Sequence, residues 1–362
     1  MRIYVNGADV TEKVIANSVT WKRYGTNRSE FSFRLEPFFA DGITVSYGMS
    51  AQLIDDYGQI AWSGIVNEIK ETYRNEYRGG ISVRCKGLES ILSRRICSEF
   101  SVPEAMTGAI VQALMLTYIA STSSTAENIL YNSALICTGA PVTDYSVQGL
   151  SLSRIFDDLA KVDGSKWWIK EDGTFYFLAD VPITESAYCI DVTGAAENRL
   201  TDLISLGFER GTGEYRNVQT VIGKDGIKAE SRNDLEIARM AKYGGSGRYE
   251  NVMRNDMITT QGAATTAAAN ILRSYATDNV NVTFETNTYG FRLFDRIRIN
   301  APQFGLYGLT PFVITEITAN DRPTGDRNLG FTYKITARLS SEGETTFRPT
   351  EYWTETISRI SK

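Results

Sequence analysis

The chemistry open to this chain is limited first by a residue it lacks, because its 362 residues include no histidine. That removes Ser/His/Asp and Cys/His nucleophiles, histidine-ligated zinc hydrolases and imidazole acid–base catalysis together. Carboxylate, Lys, Tyr, Ser and Cys chemistry is what remains. The adjacent pairs Asp55-Asp56 and Asp157-Asp158 invite comparison with glycosidases, whose two carboxyl groups stand about 5 to 9 Å apart. Neighbours on a strand point to opposite faces, however, and Asp157-Asp158 is expected on the polar side of an amphipathic helix. Both pairs therefore read as solvated surface. Cys85, Cys97, Cys137 and Cys189 form no CxxC pair, and without histidine a zinc site would need all four. Scattered buried thiols in a reducing compartment are the expectation. Gly211-Thr212-Gly213-Glu214-Tyr215-Arg216 begins like a dinucleotide loop but carries Arg216 where the third glycine belongs, and a strand rather than a helix follows it. Gly244-Gly245-Ser246-Gly247 lacks a phosphate-loop context, and Gly223-Lys224 runs into the turn Asp225-Gly226. No catalytic, cofactor-binding or metal-ligating residue is expected, and the chain is not expected to be an enzyme.

At about one domain per 100 to 200 residues, the length suggests two to four domains. With 42% hydrophobic and 11% aromatic residues and 8 prolines, the chain can bury a real core. Its net charge of −5 argues against a general nucleic-acid binder. Met1-Arg2 runs directly into Ile3-Tyr4-Val5, with no apolar signal region, and Ala105 to Ala120 is too short and too polar to span a membrane. A soluble protein made in a cytoplasm is expected.

The first hundred residues read as short strands and turns: Phe31 to Leu35 alternates at period two, and Ile60 to Ile69 and Ile81 to Cys85 continue the pattern. From Pro103, placed at a first helical turn, Met106, Ala109, Ile110, Ala113, Leu114 and Thr117 share a helical face. A second helix is expected over Ser151 to Val162, with Leu152, Ile155, Phe156 and Leu159 as its stripe. Trp167 to Phe177 reads as a tight hairpin turning at Asp172-Gly173. Beyond residue 200 the opening pattern returns. Gly64 to Lys70 is echoed by Pro311 to Thr318, with Glu316 lying 248 positions after Glu68; Gly80 to Leu88 is echoed from Gly330, 250 positions on; Phe31-Ser32-Phe33 is echoed by Val282-Thr283-Phe284, 251 on. Leu203 to Phe208 and Tyr215 to Ile222 are candidates for the first two strands of the second copy. Helices over Asn233 to Tyr243 and Gly262 to Tyr275 interrupt it, the latter with Ala264, Ala268, Ile271 and Tyr275 on one face.

The expected class is thus α+β, mainly β: two tube-like antiparallel barrel or sandwich domains with inserted α/β and helical segments. The boundaries are 1–98 for the first sheet domain, 99–200 for an α/β domain, 201–223 with 280–343 for a discontinuous second sheet domain, 224–279 for a helical insertion and 344–362 for a tail. Two like sheets per chain let a trimer present six around its axis and join a sixfold partner to a threefold one.

The sequence resembles the tail hub proteins of contractile phages and related injection machines, the group that includes the late control protein D and Mu-like baseplate hubs. The resemblance rests on Tyr4 to Thr11, on Gly149 to Ala160 running into Trp167-Trp168-Ile169 and Asp172 to Phe175, on Arg216-Asn217-Val218, and on Phe294 to Ile299. It implies a structural, virion-borne homotrimer forming a pseudo-sixfold ring at the end of a tail tube. Its implied partners are the tube or tube-initiator protein, a spike or central fibre, a tape-measure protein, and DNA in transit only. A net acidic chain suits a channel that must not hold DNA. No C-terminal β-helix is present, so any spike is expected as a separate chain.

In the tail, Phe347, Tyr352, Trp353, Ile357 and Ile360 are apolar, and the last three sit at helical spacing. They read equally as a docking peptide or as a tail packed on its own domain. Deleting residues 344–362 is expected to weaken assembly and leave the fold intact. A second functional reading is a tail-borne glycan-binding or wall-degrading protein, motivated by 19 tyrosines, 5 tryptophans and many carboxylates, with Trp167 and Trp168 as first candidates. Alternation along the hairpin would turn one of that pair inward.

Overall fold

The computed structural model describes residues 1–25, 29–36, 45–72, 80–120, 129–211, 215–275, 279–322, 329–340 and 346–347. The first seven strands are β1 (Arg2–Val5), β2 (Ala8–Asp9), β3 (Thr20–Tyr24), β4 (Ser29–Leu35), β5 (Ser50–Ile54), β6 (Ile60–Thr72) and β7 (Gly80–Gly87). They hydrogen-bond in the order β3-β4-β7-β6-β5-β1-β2, all antiparallel. The period-two pattern of β4 places Phe31, Phe33 and Leu35 in the core, where each such side chain contributes about 1.5 to 3 kcal/mol by leaving water. Gly64 on β6 has no room for a side chain, since a Cβ there would meet the Lys86 carbonyl and the Trp62 ring.

The middle of the chain contributes α1 (Glu89–Arg94), β8 (Phe100–Met106), α2 (Thr107–Met115), β9 (Pro141–Val147), α3 (Leu152–Asp163), β10 (Lys166–Ile169), β11 (Phe175–Leu178), β12 (Val181–Pro182) and β13 (Thr184–Asp191). Pro103 lies inside β8 rather than at a helix start, a correction with a simple cause. β8 belongs to a two-stranded ribbon with β9, where a residue without an N–H is tolerated. The helix itself begins four residues later. α3 forms where its stripe requires: the Ser151 hydroxyl accepts the Arg154 N–H at 3.3 Å, Gly164 closes the C-terminus at φ +76°, and Leu152, Ile155, Phe156 and Leu159 are buried. The β10–β11 hairpin turns at Asp172-Gly173, with the Asp172 carboxylate accepting the Thr174 N–H at 2.9 Å and Gly173 at φ +86°.

The remainder comprises β14 (Leu203–Gly211), β15 (Val218–Ile222), β16 (Lys228–Arg232), α4 (Asp234–Ala241), β17 (Glu250–Arg254), α5 (Gln261–Tyr275), β18 (Asn279–Thr286), β19 (Asp295–Ala301), β20 (Leu306–Arg322), β21 (Gly330–Leu339) and β22 (Thr346–Phe347). β14, β18, β21, β20, β19 and β13 pair in that order. Because β20 also pairs with β3, all of these join the opening strands in one curled sheet of 13 strands.

Two sequence expectations need correcting here. Tyr215 to Ile222 does not supply a strand to the late sheet; β15 is instead the centre of a separate three-stranded sheet with β16 and β17. The segment between β14 and β18 is therefore α/β rather than helical, and its α5, lined by Ala264, Ala267, Ala268 and Ile271, packs on β15, β16 and α3. Small alanines let that helix approach closely, which polar neighbours in the sequence did not disclose. Likewise β13, placed by boundary in the α/β unit, belongs to the large sheet. Its partners on β19 lie 109 to 111 residues away in sequence, and no local pattern signals them.

Hydrophobic packing divides between one core inside the large sheet and one shared by α1–α3, β8–β11, β15, β16 and α5. The β10–β11 hairpin lies between them. Among the described residues, no helix is long and apolar enough to cross a membrane.

Candidate assembly interface

The acidic pairs prove to be structural. Asp55 is buried at the β5–β6 turn and accepts the N–H groups of Tyr57 and Gln59 at 2.9 and 2.7 Å, while Asp56 is exposed and pairs with the chain's amino terminus at 2.6 Å. Asp158 bridges Arg154 and Lys161, each at 3.0 Å. Asp55 thus departs from the expected solvated surface, and so does Asp157. Asp157 accepts the Trp167 indole N–H at 2.8 Å, and burial pushes its carboxyl up to about 6, opposed by that hydrogen bond and by Lys161. The tryptophan following the helix pulls the carboxylate inward. The four cysteines are free thiols, three of them buried, and burial pushes Cys85 well up. Among the described residues no group of His, Cys, Asp and Glu could hold a metal. Gly223 to Gly226 is the β15–β16 turn, and the Gly247 carbonyl accepts from the Asn217 side chain at 2.7 Å. Residues 212–214 of the Gly211 loop lie outside the described residues.

Both hairpin tryptophans are buried, at 3% and 7% exposure, where alternation alone led to the expectation of one. Trp167 packs edge-on against Phe156 and stacks on Phe175 in the α/β core. Trp168 stacks on Tyr176 at 4.8 Å and meets Phe294, in a cluster with Val181 and Val313. The hairpin is covered on both faces, so it fastens the α/β unit to the large sheet and leaves no exposed indole for a sugar. The tail residue Phe347 is paired through its backbone with Val181, and Thr346 with Pro182. Tyr352, Trp353, Ile357 and Ile360 lie outside the described residues.

The structure offers edges and tips. The seam of the sheet runs along β3 and β20, in register from Glu316 opposite Tyr24 to Asn320 opposite Thr20. The Thr315 carbonyl accepts the Gly25 N–H at 2.9 Å, and Thr20 and Asn320 side chains meet at 3.0 Å. Beneath it, Arg23 forms an ion pair with Glu171 of the β10–β11 turn and senses the charge of Glu89. Desolvation lowers Arg23 to about 10, with Glu89 opposing the shift, so it stays a cation. Burial raises Glu89, opposed by its own backbone, by the Ser29 N–H and hydroxyl at 2.5 and 2.8 Å, and by Arg23. No sequence pattern links residues 23, 89 and 171. The tips are more legible. Asp-Tyr-Gly between β5 and β6 presents Tyr57 at 85% exposure, and Tyr307, at the start of β20 in the equivalent hairpin, is 78% exposed.

The two halves of the sheet share their strand order and differ in one pairing, since β13 runs parallel to β19 where β1 runs antiparallel to β5. β6 and β20 each carry a bulge against their neighbours, between Val66 and Glu68 and between Ile314 and Glu316, at the 248-residue offset seen in the sequence. Cys85 lies between Val66 and Phe31 as Ala337 lies between Ile314 and Val282.

No protein-family model matches the chain, and no curated protein matches it by sequence. Solved structures do match. A tail protein from Neisseria meningitidis MC58 aligns with a TM-score of 0.65 at 12% identity, over 95% of this chain and 97% of that one. The 43 kDa tail protein of prophage MuSo2 from Shewanella oneidensis aligns at 0.63 and 13%, over 93% and 97%. The E. coli c3393 protein, a component of the type VI secretion system with structural similarity to T4 tail proteins gp27 and gp5, aligns at 0.57 and 11%, over 96% and 79%. At such identities it is the fold that is shared. The chain has the fold of phage tail proteins and of a related secretion-system component.

Proposed function

We propose that this protein is a structural hub of a phage tail or related injection machine. Three copies form a ring whose six half-sheets meet a sixfold tube on one side and a threefold spike or fibre on the other. The observation that carries this reading is the doubled strand order, β3-β4-β7-β6-β5-β1 and β14-β18-β21-β20-β19-β13, joined edge to edge within one chain. A threefold assembly of such chains is pseudo-sixfold by construction, which is the symmetry a tube-to-spike adaptor needs. The fold shared with tail proteins supports it further.

The hub carries no catalytic role in this reading. DNA or a tape-measure protein passes through its centre, and the net charge of −5 favours passage over retention. Tyr57 and Tyr307, exposed at matching hairpin tips, are the candidates for contact with the tube, since aromatic side chains dominate interface energies. The tail beyond Phe347 is the candidate for the distal partner. It is synthesised in the host cytoplasm and carried in the virion tail. The glycan-binding alternative loses its first candidates, because Trp167 and Trp168 are both buried.

Light scattering on the purified protein, with electron-microscopy class averages of the same sample, tests the reading. Three times the mass of one chain and a six-lobed ring with a central hole are expected. A monomer at every concentration, alone and with its tube protein, would remove the hub assignment.

A further inference from the structure

The internal seam between β20 and β3 has an unfilled counterpart. β6 is the equivalent of β20, and β5 covers it only as far as Ile65, with Val66 meeting Met49 and Gly48. Past that point, among the described residues, no backbone hydrogen bond reaches the outer side of Asn67 to Thr72, although β7 holds its inner side throughout. β14 is the equivalent of β3: Phe208 opposes Val282 as Trp21 opposes Phe31. Among the described residues it ends the sheet, nine residues long, with only β18 beside it and Ile204 exposed near its start. A long open edge of that kind is a template for strand addition and a hazard if left uncovered.

We infer that β14 of one copy adds to the outer edge of β6 in a second copy of this chain, antiparallel and in the register of the β20–β3 seam. This rests on the ring reading above and specifies how the ring is closed. Carrying the register across the two halves places Glu68 opposite Gly211, Ile69 opposite Arg210, Lys70 opposite Glu209, Glu71 opposite Phe208 and Thr72 opposite Gly207. The internal pair at the central position is Thr318 with Lys22; between copies it becomes Lys70 with Glu209, two exposed and oppositely charged side chains. Opposite charges directly across an antiparallel pair are favourable. The contact is head-to-tail, and it closes a ring of three rather than a filament when the in-chain relation it repeats is a sixth of a turn.

Paired cysteines test the seam. The full chain carrying Lys70→Cys and Glu209→Cys, mildly oxidised, is expected to run without reductant as covalent dimer and trimer, while each single variant stays monomeric on the gel. Lys70→Cys with Gly207→Cys, two residues out of register on the same face, is expected to cross-link at least tenfold less. In parallel, Lys70→Glu and Glu209→Lys are each expected to shift the native mass toward monomer, and the double charge swap to restore the trimer. A trimer by mass with no 70–209 cross-link, or with stronger 70–207 cross-linking, overturns this seam and leaves the ring standing. Monomer by mass, alone and with the tube protein, and no cross-link in either pair overturns both.

Discussion

Replacing Arg23 by Met keeps most of the stem under the seam and removes its charge, and the consequences can be worked from the groups around it. Glu171 is a quarter exposed and can return to water, so losing that partner costs about 0 to 1 kcal/mol. Glu89 cannot. Its carboxyl is enclosed, already raised by burial, and held by Ser29. Breaking a direct buried pair from one side costs about 3 to 5 kcal/mol; Arg23 acts on Glu89 through its charge, its ion pair being with Glu171, and the two Ser29 hydrogen bonds remain, so about 2 kcal/mol is expected at pH 7. A carboxyl whose folded pKa is raised contributes stability below its unfolded value, near 4.3, and loses it as pH rises. Without Arg23 that upward shift grows, so the penalty should be large at pH 7 and small at pH 5, where the carboxyl is protonated at little cost. With each pH unit worth about 1.4 kcal/mol per proton, two units recover up to about 2.8 kcal/mol, so little of the loss should remain at pH 5. Urea unfolding of both proteins at the two pH values measures this, and adding Glu89→Gln should restore most of the stability at pH 7. A loss below 1 kcal/mol at pH 7, or an equal loss at both pH values, would refute the account of Arg23 as the buried anchor of the joint between the half-sheets.

Asp157→Asn keeps an acceptor for the Trp167 N–H and removes a half-buried charge. The rise from 3.8 to about 6 sets a ceiling of about 3 kcal/mol, and partial exposure reduces the expectation to about 1 to 2 kcal/mol. Wild-type stability from this group is full below pH 4 and lost through pH 6, so the variant should be more stable at pH 8 and show a flatter urea midpoint between pH 5 and 8. Trp168→Ala should cost about 3 to 5 kcal/mol by opening a cavity between hairpin and sheet, read as a shift in urea midpoint. Tyr57→Ala and Tyr307→Ala should each change stability by less than about 0.5 kcal/mol yet reduce co-sedimentation with assembled tubes, and unchanged co-sedimentation would dismiss the hairpin tips as the tube contact.

Much of the architecture was legible before any coordinates. The alternation of Phe31, Phe33 and Leu35, the stripe from Leu152 to Leu159 and the Asp172-Gly173 turn are local signals, and each formed the element it indicated. The echo of Glu68 in Glu316 was legible too, and it marks the same place beside a bulge in both halves. Failures came where partners are distant. Tyr215 to Ile222 has the composition of a buried strand, but composition does not say which sheet receives it. Pro103 suited a helix start as well as a ribbon edge, and only β9 decided between them. One buried tryptophan was foreseen from period two; the second needed a body on the other face of the hairpin.

By itself, then, the sequence excluded histidine chemistry, placed the strands and helices, and betrayed the internal repeat, because all three depend on residue type and spacing along the chain. Tertiary structure alone decided that the halves share one sheet, that Arg23, Glu89 and Glu171 meet beneath its seam, and that β14 and the far end of β6 present edges without a backbone partner among the described residues. Those outcomes depend on which hydrogen-bonding edges meet in space, and every strand offers the same backbone groups regardless of its side chains.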